Sequence, residues 1–149
     1  MSLAYTSIFV IGNQATRATL TNAYTGNVSS AYLVRNAPQL FLQVEYTMGA
    51  AETNNSIQVR VESARPIAGV PVTTDWYRLT TESVSAGVVT QVVREDSFTA
   101  VSAAATYDRI EIPLQGGFEY IRVAVKETGV AANAGNCSIK LTYLEDEAI

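Results

Sequence analysis

The chain has 149 residues, a formal net charge of −4, one cysteine and no histidine. This length fits one domain of ordinary size, and 48% hydrophobic residues can fill a core and are too many for a disordered chain. Ten Lys and Arg against fourteen Asp and Glu argue against nucleic-acid binding, and the absence of histidine removes the commonest general base and metal ligand.

Residues 1–15 carry the apolar run Ile8, Phe9, Val10 and Ile11 without clear alternation, which predicts an extra edge strand or an arm packed on a neighbouring subunit. No basic residue precedes the run and it is too short for a signal sequence. Nothing later approaches the roughly 20 apolar residues of a membrane span. The chain is therefore expected to be made in the cytoplasm without signal-peptide export, and to have no membrane partner.

Residues 16–145 predict a β-sandwich. Less regular strands are expected at 16–24 and 31–35. The first clear one places Leu40, Leu42, Val44, Tyr46 and Met48 on one face, with Gln43, Glu45 and Thr47 on the other. Ile57, Val59 and Val61 then alternate with Gln58, Arg60 and Glu62. Strands at 75–84 and 88–98, joined by Ser85-Ala86-Gly87, are followed by an Ala-rich stretch at 102–106 where a helical turn could form. The pattern resumes with Ile110, Ile112 and Leu114, with Ile121, Val123 and Val125, and with Cys137, Ile139, Leu141 and Tyr143. Such period-two runs are half-buried antiparallel strands. Eight or nine of them, separated by Gly, Pro and Asn turns, define an all-β fold, a single antiparallel sandwich or jelly roll of about eight strands. Residues 146–149 close the chain as an acidic tail, read as a solvated end.

The search for chemistry yields little. Ser-His-Asp and Cys-His arrangements need a histidine, and the usual zinc sites need histidines or several cysteines. Cys137 lies on an apolar face with no neighbouring cation in sequence, which makes it a buried structural thiol. Glu95 and Asp96 are adjacent on a strand and face opposite ways, as do Asp108 and Glu111 under strict alternation. No phosphate-binding, dinucleotide or calcium-loop motif is present. No catalytic residue, cofactor or metal is expected, and the chain reads as a non-enzyme.

Aromatic and neutral segments carry more. Trp76 and Tyr77 open a strand and are read as a core or interface anchor, with a sugar-stacking platform as the alternative. Residues 83–93, 98–107 and 18–34 contain no charge. Strands apolar on both faces need both faces covered, by another chain or a folded-back loop, and Val88, Val89 and Val92 become candidate interface residues beside Trp76, Tyr77, Ile8, Phe9, Val10 and Ile11.

The succession Leu40-Phe41-Leu42-Gln43-Val44-Glu45-Tyr46, Ser56-Ile57-Gln58-Val59-Arg60-Val61-Glu62-Ser63 and Asp75-Trp76-Tyr77-Arg78-Leu79 resembles small β-sandwich virion proteins of tailed bacteriophages. The later Ile112-Pro113-Leu114, Glu119-Tyr120-Ile121-Arg122-Val123-Ala124-Val125-Lys126-Glu127 and Ser138-Ile139-Lys140-Leu141-Thr142-Tyr143 extend the resemblance over residues 40–145. It implies a virion structural protein that binds copies of itself and other virion proteins. A capsid decoration or cement protein on the major capsid protein comes first, a neck or tail component second. A carbohydrate-binding module is the competing reading.

Overall fold

A computed structural model describes residues 3–35, 39–64, 66–67, 70–71, 76–113, 118–129 and 132–146. The strands are β1 (Leu3–Ile11), β2 (Ala18–Thr19), β3 (Tyr32–Arg35), β4 (Gln39–Thr47), β5 (Ser56–Ala64), β6 (Pro66–Ile67), β7 (Val70–Pro71), β8 (Tyr77–Arg78), β9 (Thr80–Ser85), β10 (Val88–Val93), β11 (Asp96–Thr99), β12 (Thr106–Glu111), β13 (Phe118–Thr128) and β14 (Asn136–Asp146). Eight of these build two four-stranded layers, β1-β14-β4-β12 and β11-β5-β13-β3. Every pairing within them is antiparallel. The short β2 extends the first layer beside β14, and β8 extends the second beside β5. From β3 to β5 the chain crosses from the second layer to the first and back, and from β11 to β14 it again alternates between them. The result is a jelly-roll sandwich.

The alternation in sequence becomes the sandwich interior. Leu42, Val44 and Tyr46 of β4 and Cys137, Ile139 and Leu141 of β14 face Ile57, Val59 and Val61 of β5 and Ile121, Val123 and Val125 of β13 in one core cluster. Burying each such aliphatic side chain contributes about 1.5–3 kcal/mol. Cys137 is fully buried within it, and desolvation pushes its thiol up to about 12.

Four segments differ from their sequence patterns, the first being the strand expected at 16–24, which shrinks to β2 and is followed by a 3-10 turn at Tyr24–Gly26. Residues 1–15 contain an edge strand of the chain's own first layer, paired with β14 from Leu3↔Asp146 to Ile11↔Ile139. The register slips between Phe9 and Ile11. This bulge turns both Val10 and Ile11 into the core, which is why the segment lacks visible alternation. The expected strands 75–84 and 88–98 break into four pieces, of which β9 and β10 form a separate hairpin and β11 joins β5. Residues 101–104 run as exposed bends and carry no helical turn, and β12 begins at Thr106.

The loop from β2 to β3 is tied along the second layer by main-chain bonds. Glu127, Val125 and Ser29 donate from their backbone nitrogens to the carbonyl oxygens of Thr21, Asn27 and Val123, at 2.8, 3.0 and 2.8 Å. Neutral residues suit a segment whose backbone serves as an irregular edge.

Candidate functional site

Two surfaces stand out. The first is the β9–β10 hairpin. Its turn, Ser85-Ala86-Gly87-Val88, has φ of 50° at Ala86 and 77° at Gly87. These are the two successive positive values that match the twist of a tight two-residue hairpin. The register runs from Val88↔Ser85 to Val93↔Thr80. Cross-strand partners share a face, so Val84 and Val89 lie together on one side and Val88 and Val92 lie on the other. All four are exposed, Val84 by 67% and Val88 by 62%. Among the described residues each strand of the ribbon pairs only with the other. The ribbon is therefore open on both faces and along both edges, with Glu82 as its one charged side chain. At its base Arg94 N donates to Leu79 O at 2.8 Å and Leu79 N donates to Val61 O at 3.1 Å, so both stems leave the second layer at one point.

The second surface is the outward face of the first layer. Cross-strand register sets it out in rows. Ser7, Thr142, Phe41 and Glu111 form one, and Phe9, Lys140, Gln43 and Arg109 the next. Ser138, Glu45 and Tyr107 form the row beyond. Two cations stand over aromatic rings. The Arg109 guanidinium lies 3.8 Å from the Phe41 ring centroid and the Lys140 ammonium 4.9 Å from that of Phe9. Arg17 reaches the same face, ion-paired with Glu45 and donating to Thr47 Oγ1 at 3.1 Å. A groove of about 360 Å³ runs between Phe9, Gln43, Tyr107, Arg109 and Lys140. A second of about 550 Å³ adjoins it across Arg109 and reaches Arg94 and Pro113.

The structure disperses the residues singled out in the sequence. Val88, Val89 and Val92 come together on the hairpin. Val10 and Ile11 are corrected from interface candidates to core residues, sealed by the bulge. Ile8 has the inward register opposite Leu141 but stays 40% exposed because its strand is an edge. Phe9 faces out beneath Lys140. Trp76 is half-buried with the Arg122 guanidinium 4.4 Å from its ring centroid, and Tyr77 beside it is exposed. Val84, Tyr107, Arg109 and Lys140 were missed as site residues. Val84 lies in the same uncharged stretch as its partner Val89, a signal that was available. The rows across the first layer depend on strand order, which no local pattern contains.

Among the described residues no group of three acidic or cysteine side chains is placed to hold a metal ion, and no helix is long and apolar enough to cross a membrane. Burial raises the carboxyl pKa of Asp108. Asp108 stands opposite Val44 in the inward register of β12, at the groove's rim.

No family model matches the chain, and no curated protein does. Among solved structures it is similar to the structure of Eiger TNF from S. frugiperda, at 11% identity over 97% of this chain and 95% of that chain, with a TM-score of 0.39.

Proposed function

We propose that the chain is a non-enzymatic structural subunit that works by association, a virion protein of the capsid-decoration kind that binds copies of itself and the major capsid protein. The observation that carries the association is the β9–β10 hairpin. A two-stranded ribbon is marginal in water by itself, and one with valines on both faces and free edges gains stability when another surface covers it. The sandwich supplies no such cover, since the ribbon stays exposed over its whole length except at Val93. The ribbon fits a neighbouring subunit, as a clasp between copies. Support for the virion setting is the resemblance of residues 40–145 to tailed-phage sandwich proteins, and a neck or tail component would use the same ribbon.

Light scattering on the eluting protein tests the association. The expected result is a discrete species of at least twice the 16.0 kDa chain mass, reduced to monomer when Val84, Val88, Val89 and Val92 are all replaced by Thr. A monomer for the wild-type chain at every concentration sinks self-association. Mass spectrometry of purified particles from the source phage tests the setting, and its absence from them removes the decoration role.

A further inference from the structure

We propose that the outward face of the first layer is a binding site for a carboxylated saccharide, a chain of uronic-acid type, lying in the groove between Lys140, Gln43, Arg109 and Tyr107. This site is separate from the hairpin and does not rest on the association reading.

The charge complementarity comes from two of the four cations that make no ion pair among the described residues, since Arg78 and Lys126 lie on the other layer. Among the described residues, Arg17, Arg60, Arg94 and Arg122 each pair with a carboxylate. Lys140 and Arg109 have only their aromatic rings. They sit in one row on β14 and β12, on either side of Gln43 of β4, and two strand spacings put their backbones roughly 10 Å apart. Glu45 in the next row is already neutralised by Arg17. In a chain of net charge −4, two unpaired cations on one row select an anion, and a guanidinium can take a carboxylate through two parallel hydrogen bonds.

The rest of the lining selects a sugar. Tyr107 stands 74% exposed at the groove, and its ring offers a face to the apolar side of a pyranose. The amides of Gln43 and Gln14 and the Ser138 hydroxyl line the same groove, and each amide carries a donor and an acceptor for neighbouring ring hydroxyls. The groove is open, and it continues past Arg109, which suits an extended oligosaccharide over a single enclosed ring. Trp76 lies on the other layer, with one face under Arg122, and takes no part.

Titration calorimetry with a trigalacturonate, a neutral galactose trisaccharide and inorganic polyphosphate tests the site. The expected result is trigalacturonate binding at least tenfold tighter than the neutral trisaccharide and weakened by added salt. Lys140→Gln and Arg109→Gln should each weaken it fivefold or more. Tyr107→Ala should weaken trigalacturonate and leave polyphosphate unchanged, whereas Trp76→Phe alters neither. All four variants are to be checked for an unchanged unfolding midpoint. No binding of trigalacturonate at millimolar concentration overturns the proposal. So does equal binding of polyphosphate with no effect of Tyr107→Ala, which would leave a simple charge patch. A change of oligomer mass in Arg109→Gln or Lys140→Gln with no change in sugar affinity overturns it too, and makes this face a contact between copies.

Discussion

The side chain that departs furthest from its surroundings is Glu127. It falls in the inward register of β13 after Ile121, Val123 and Val125, and only 3% of it is exposed. Tyr46 hydroxyl donates to Glu127 Oε2 at 2.5 Å and Gly135 N donates to Oε1 at 2.9 Å. The carboxylate thus ties β4 of one layer to β13 of the other and fixes the loop into β14. Removing the hydroxyl leaves a buried acceptor short of a donor, so Tyr46→Phe is expected to cost about 1–3 kcal/mol in urea unfolding. Burial, with Glu127 close by, raises the Tyr46 phenol, and burial raises Tyr24 to about 12 and Cys137 to about 12. Each of these groups holds its proton more tightly folded than unfolded. The stability they lend is complete below the unfolded values, near 9 for the thiol and 10 for the phenols, and drains away as pH climbs through 12. Urea midpoints should be level from pH 6 to 8 and fall by pH 10. Over the same range the Cys137 thiol should react with a disulfide reagent only as fast as the chain unfolds.

At the scale of elements, the hairpin can be removed without opening the sandwich. Leu79 and Arg94 are already joined by a main-chain bond at its base, and β8 and β11 hold the flanks to β5. Replacing residues 80–93 by a two-residue Asn-Gly turn is expected to leave the far-UV spectrum of a β-protein and a cooperative unfolding transition, and to abolish self-association. Loss of folding in that variant would mean the ribbon is part of the core. The long strands were legible because burial on one face writes period two into the sequence, as in Leu42, Val44 and Tyr46. The N-terminal strand was hidden by its bulge, where Val10 and Ile11 both turn inward. The neutral stretch at 83–93 falls on the element that the sandwich leaves exposed. The groove was not legible, since Phe9, Gln43, Tyr107 and Lys140 lie on four strands whose adjacency comes from topology alone.

For the whole molecule, the pairing of β1 with β14 joins positions 3 and 146, and β14 lies between β1 and β4 at the centre of its layer. Nearly every contact that organises the sandwich is distant in sequence, so loop-closure entropy must be met before packing rewards it. Refolding from urea is expected to take milliseconds to seconds, much slower than a helical bundle of this size, with stopped-flow fluorescence of Trp76 as the readout. A sub-millisecond phase accounting for the full amplitude would contradict this.

The central place of β14 also orders events on the ribosome. Residues 136–146 are made after every other strand, and until they clear the exit tunnel β1 has no partner and β4 lacks its neighbour on one side. Before β14 emerges the nascent chain has its valine ribbon exposed and its first layer half built, so a chain cut short before residue 136 lacks the middle of a sheet. Such a fragment exposes the inner faces of β4 and β5 to proteolysis.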